Sequence, residues 1–181
     1  MRSQMKENIA DAFLAMLAKK SIDRITVKDL AESCNVSRQS FYYHFQDIME
    51  VVEWVIERTY REIAGRCLEA DTLEEEIHIL VACFVDRYEL LTRLRDSSKR
   101  DLIDHKAIEA VQTYLRAGWR QVLSHMDLRG ADADALISFY SSGIAGLMME
   151  RCQEKSVDVD ELARQIYRIT QQLFPNCDQW R

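Results

Sequence analysis

The strongest limit on this chain's fold is the punctuation it lacks. Its 181 residues hold one proline, Pro175, and five glycines, the first of them Gly65. Hairpins and sheets need turn residues at short intervals, and a chain this poor in them is left with helices joined by tight corners. The predicted fold class is all-α, about nine helices, in a chain long enough to bury a proper core.

Apolar spacing and capping residues outline the helices. A first runs from about Ser3 to Lys20 with Ile9, Phe13, Met16 and Leu17 on one face, and two short ones follow between residues 26 and 45. Asp47 with Glu50 caps a long fourth helix to about Ala70, and Thr72 with Glu75 opens a fifth carrying Ile77, Leu80, Val81, Phe84, Tyr88 and Leu91. Residues 93–106 are charged and irregular, a short helix between loops. From there to about Met126 the series Ile108, Val111, Leu115, Trp119, Val122 and Met126 keeps helical register. An eighth helix is expected from about Asp132 to Glu154. A ninth is capped by Asp158 with Glu161 and stapled by Val157 and Leu162.

The two short helices carry distinctive chemistry. Thr26 caps the first, Asp29 completes a capping box, and Ile25 staples against Leu30; Ser37 caps the second, with Val36 and Phe41 at its staple positions. Between them Asn35 is best able to take the left-handed conformation a sharp corner requires. Leu30, Ala31, Val36, Phe41 and Phe45 form an apolar seam, and Arg38, Gln39, Ser40, Tyr42, Tyr43 and His44 face away from it. A solvated helix without a partner would more usually show Glu and Lys there. Residues 1–46 hold seven Lys/Arg against five Asp/Glu, while the remainder holds seventeen against twenty-five. An acidic chain, net charge −6, thus keeps its positive end at the helix-turn-helix.

With the opening Thr26, the Ser37 cap and the ending Tyr42-Tyr43-His44-Phe45, the chain resembles the TetR family of bacterial transcriptional regulators over roughly residues 5 to 56. Two positions depart from that family: Asn35 stands where Gly is common, and Ile48 where a phosphate-meeting Lys is common. By side-chain chemistry Arg38 suits a guanine edge, Gln39 or Ser40 another base edge, and Tyr43 a thymine methyl or a phosphate. The resemblance implies phosphate contacts for Thr26, Tyr42 and His44, with backbone amides of the second helix aimed at a phosphate. Ser37 serves foremost as a cap. The expected partner is double-stranded DNA at an inverted-repeat operator, read by residues 1–46.

Residues 47–181 are expected to bind a ligand and to dimerise. The eighth helix offers Ser138, Ser141, Ser142, Gly143, Ala145 and Gly146, small residues that admit a close neighbour, and the ninth offers Leu162, Ile166, Ile169 and Leu173 at helical spacing. Packed against their symmetry mates, Ser142, Gly143, Gly146, Leu147, Leu162, Ile166, Ile169 and Leu173 would form a four-helix homodimer interface, as the resemblance also implies; packing inside one subunit is the other use of such a face. The family further implies a small-molecule effector among the C-terminal helices. Trp54, Tyr60, Phe84, Tyr88, Tyr114, Trp119 and Phe139 are the side chains that could line its pocket, and plain core packing is their alternative role. The run Phe139-Tyr-Ser-Ser-Gly-Ile-Ala-Gly-Leu-Met-Met and Asp158-Val-Asp-Glu-Leu resemble the subgroup typified by regulators of dihydroxyacetone kinase operons. Repression is the expected sign; the alternative is a transcriptional activator or protein-interaction module controlled by a partner protein rather than by a small ligand of its own.

Other functions find little support. There is no phosphate-cradling glycine loop, no Gly-x-Ser-x-Gly elbow and no His-Glu-x-x-His pair, and Asp101 with His105 lacks a third ligand. No catalytic residue, metal site or cofactor is expected. Cys34, Cys67, Cys83, Cys152 and Cys177 are scattered and odd in number, which fits reduced thiols in a cytoplasmic protein. The N-terminal residues lack the apolar run of a signal peptide, and the longest uncharged stretch, residues 135–149, falls short of the ~20 residues of a membrane span.

Overall fold

The computed structural model describes residues 2–154 and 156–175. Among them the regular structure is helical throughout: α1 (Arg2–Leu17), a 3₁₀ turn (Ile22–Arg24), α2 (Val27–Ser33), α3 (Arg38–His44), α4 (Ile48–Leu68), α5 (Leu73–Arg95), α6 (Arg100–Gly118), α7 (Arg120–His125), α8 (Ala131–Arg151) and α9 (Val159–Leu173). The all-α expectation holds.

Two segments correct the expected boundaries. Residues 93–106 are helical except for a four-residue corner at 96–99: α5 continues to Arg95 and α6 begins at Arg100. The charges lie along helix surfaces and pair there, with Arg95 Nε 2.7 Å from Asp104 Oδ1 and Arg93 Nη2 2.8 Å from Glu89 Oε1. Conversely, the expected helix through Met126 breaks after Gly118, a poor helix former. At the break the Trp119 ring packs 4.4 Å from Tyr140 and 4.9 Å from Phe174, centroid to centroid.

The chain forms two compact units, Met1–Thr59 with Glu89–Ala107, and Tyr60–Tyr88 with Ile108–Arg181. The expected division after residue 46 falls inside the first. That unit, the head, is built on fully buried Ile9, Phe13 and Leu17 of α1, Leu30 of α2, Phe41 of α3 and Val51 of α4, and its core also takes in Leu94 and Ile103. Arg58 ties α4 to α1 through Glu7 at 2.8 Å and Asp11 at 2.7 Å. The corner between α5 and α6 is fastened to the 3₁₀ turn, because Ser98 donates to the Asp23 carboxylate from its backbone N–H at 3.1 Å and from its hydroxyl at 2.8 Å. Those hydrogen bonds, side chain first, hold Asp23 below the usual carboxylate range.

The second unit packs Ile77 and Val81 of α5 against Leu162, Ala163 and Ile166 of α9, with Ile144, Leu147 and Met148 of α8 beside them. Thr170 is buried and its hydroxyl donates to the Ile166 carbonyl at 2.8 Å, so the short contact between the Tyr140 and Thr170 hydroxyls has Tyr140 as donor. The cysteines Cys34, Cys67, Cys83 and Cys152 are free thiols; Cys177 lies outside the described residues. Among the described residues no helix is long and apolar enough to cross a membrane.

Candidate nucleic-acid interface

The α2–corner–α3 segment is fixed locally at each joint. Thr26 Oγ1 accepts from Asp29 N–H at 3.1 Å while Asp29 Oδ2 accepts from Thr26 N–H at 3.1 Å, a closed capping box. Lys20 Nζ sits 2.8 Å from the same Asp29 oxygen, and these donors, Lys20 foremost, hold the carboxyl below its ordinary range. At the corner Asn35 takes φ 54°, the left-handed conformation expected of it, which lets Val36 N–H reach the Ala31 carbonyl at 2.9 Å. Ser37 Oγ then accepts from Ser40 N–H at 3.0 Å and starts α3 at Arg38.

One face of α3 is anchored and the other is open. Phe41 and Phe45 are buried with ring centroids 6.0 Å apart, over Leu30 and Ala31, which are also buried. Val36 is half-buried against them. Arg38 and Gln39 are exposed, Tyr42 is 57% exposed and Tyr43 66%. Thr26 and Ser37 are exposed with their hydroxyls engaged in caps. Ser40 and His44 are only half-buried rather than fully outward, and the His44 ring meets Tyr43 edge-on at 5.1 Å. The open face therefore offers a guanidinium, a carboxamide and two phenols on a seven-residue helix. Such a helix fits the major groove, whose base edges present matching donors and acceptors. Ile48, at the start of α4, is half-buried and packs on the head core.

The seven aromatic pocket candidates are not gathered in one place. Trp54 belongs to the head, where its ring lies 6.3 Å from Phe45. In the second unit Tyr60 pairs edge-on with Tyr114 at 6.3 Å, Phe84 lies 6.2 Å from Tyr88, and Trp119 joins the Tyr140 and Phe174 cluster. Phe139 is 76% exposed. Tyr114 donates a short hydrogen bond to Glu76, and burial together with that carboxylate raises its phenol pKa far above normal. A groove of about 100 Å³ beside the start of α9, lined by Arg151, Glu161 and Gln165 among others, contains none of the seven and is smaller than the ~300 Å³ of an ordinary ligand site.

The interface candidates divide as well. Leu162 and Ile166 are buried in their own unit and Leu147 packs against them. Ser142, Gly143 and Gly146 are exposed on α8, as are Ile169 and Leu173 on α9. A Cβ built on Gly143 or Gly146 meets nothing within 4 Å, so no described neighbour in this chain requires glycine there.

Residues 9–54 match the family described as bacterial regulatory proteins, tetR family. Over 79 residues the chain is 29% identical to an uncharacterized HTH-type transcriptional regulator, YxbF of Bacillus subtilis, covering 44% of this chain and 21% of that protein. Over 55 residues it is 31% identical to the HTH-type dhaKLM operon transcriptional activator DhaS of Lactococcus lactis, covering 30% of this chain and 29% of that protein. The chain thus spans less than a third of the length of these curated relatives. The solved structure of the dihydroxyacetone kinase operon activator DhaS superposes with a TM-score of 0.68 at 17% identity, over 93% of this chain and 95% of that one, a likeness of fold.

Proposed function

From the match of residues 9–54 to the tetR family of bacterial regulatory proteins, we propose that the chain is a member of that family, a homodimeric transcriptional regulator that binds an inverted-repeat operator through α3. Residues 1–46 form its DNA-binding domain, and residues 47–181 dimerise and bind a small effector. The observation that carries this reading is the exposure of Tyr42 and Tyr43 beside Arg38 and Gln39, on a helix whose other face is fully anchored. Arg38 takes a guanine edge, Gln39 and Ser40 neighbouring edges, and Tyr43 a thymine methyl or phosphate; Thr26, Tyr42 and His44 meet phosphates.

One short helix reads only a few base pairs. Two copies gain affinity by engaging half-sites about 34 Å apart, or a multiple of that. Support for the second copy comes from the exposure of Phe139, Ser142, Gly143 and Gly146 on α8 and of Ile169 and Leu173 on α9. The effector lies in the second unit, near Tyr60 with Tyr114 or Phe84 with Tyr88, and acts by favouring one of two conformations. The regulator acts as a repressor.

Selection of bound fragments from random duplex DNA tests the proposal. An inverted repeat is the expected product, and the absence of any enriched sequence at moderate salt overturns it. Transcription from a promoter carrying the recovered site rises on deletion of a repressor and falls on deletion of an activator.

A further inference from the structure

A cation sits where three elements of the head meet. Lys6 of α1 places Nζ 4.8 Å from the centroid of the Phe45 ring and 4.6 Å from that of Trp54. Phe45 ends α3, and Trp54 lies on α4. The third neighbour is Glu50, whose Oε1 is 4.0 Å from Lys6 Nζ and whose Oε2 accepts from the Gln46 backbone N–H at 2.5 Å. Glu50 is itself seated by Asp47, whose Oδ1 accepts from Glu50 N–H at 2.9 Å. The main chain leaving the recognition helix is therefore held by a carboxylate, and a lysine ammonium that lies over two rings faces that carboxylate at 4.0 Å.

We infer that Lys6 is a positioning residue for DNA reading: its ammonium fixes the orientation of the C-terminal end of α3 against α1 and α4. The inference rests on the reading of α3 as the recognition helix. A lysine whose side chain is only 21% exposed and directed at two ring faces and a carboxylate is placed for internal contact, and a misdirected helix loses base contacts while leaving phosphate attraction intact. Arginine can replace it, since a guanidinium also stacks on aromatic faces.

The test compares wild type, Lys6→Met and Lys6→Arg on two duplexes of equal length, the sequence recovered by selection and a scrambled one, across a salt series. Lys6→Met is expected to weaken binding to the selected duplex about tenfold, the scale of a partly desolvated cation–aromatic contact, with scrambled binding and the salt slope unchanged. Lys6→Arg is expected to restore it. Unchanged affinity of Lys6→Met for the selected duplex overturns the inference. So does an equal loss on both duplexes with the salt slope reduced by about one, which marks a phosphate contact instead. If Lys6→Met does not fold, Glu50→Gln keeps the acceptor for Gln46 and removes the charge facing Lys6; it must then weaken selected binding alone. A wild-type protein that prefers neither duplex overturns the recognition-helix reading itself, and the role of Lys6 with it.

Discussion

The head and the second unit close their cores in opposite ways. In the head, apolar side chains turn inward around Phe13, Phe41 and Phe45, and the open face of α3 is polar, with phenols supplying its aromatic surface. In the second unit α8 leaves Phe139 and two glycines in the open, and α9 adds Ile169 and Leu173. Hydrogen-bonding groups on an exposed face suit a polar partner whose edges must be told apart, whereas small and apolar groups suit a surface that only has to fit. Each unit thus advertises a partner of its own kind.

Breaking each unit separately sharpens this contrast. The largest effect is expected from Phe41→Ala, which empties the centre of the head and costs about 3–5 kcal/mol. Thermal unfolding should shift strongly downward with loss of DNA binding, and a melting curve like wild type would refute the anchored-face description. Next comes Gly146→Arg on α8. With no described neighbour within 4 Å of the new Cβ, helicity should hardly change, and on the proposed dimer reading sedimentation should show monomer at concentrations where wild type self-associates. A dimer that survives the arginine moves the interface elsewhere.

Smaller effects follow for single contacts. Arg38→Ala and Tyr43→Ala are each expected to lose about 1–3 kcal/mol of discrimination between selected and scrambled duplexes while the dimer stays intact. Equal discrimination in both variants would remove α3 from the interface. The smallest change compares caps. Ser37→Ala and Asp158→Ala each remove the side chain that accepts from the third residue of a helix, α3 or α9, at about 1 kcal/mol apiece. Only the first should also weaken selected binding, because only that cap sets where α3 starts.

How far the residues announce these features depends on the range of the forces involved. The Thr26–Asp29 capping box, the Ser37 cap, the left-handed Asn35 and the buried seam of α2 and α3 follow from neighbours close in the chain, and they stand in the structure as their spacing predicts. The charge density of the run 93–106 reads as irregularity, but most of its charges sit on two ordinary helices joined by ion pairs such as Arg95 with Asp104. Trp119 kept helical register in the sequence, but its ring is drawn into a cluster with Tyr140 and Phe174, side chains far along the chain. Tertiary partners of this kind also decide which aromatics share a space and which leucines stay outside. For that reason the pocket candidates scatter and Leu162 and Ile166 turn inward. Lys6 had no signal at all in the sequence, since its two rings and carboxylate converge only after α1, α3 and α4 pack.

The fastening of Ser98 to Asp23, with Leu94 and Ile103 in the same core, bears on how such proteins are recombined. A head transplanted as one continuous cassette would arrive with a hole where those two side chains belong and with the Asp23 carboxylate stripped of its donors. Chimeric regulators built from this chain should carry the α5–α6 corner as a second graft, and libraries that swap heads at a single junction should recover few folded proteins.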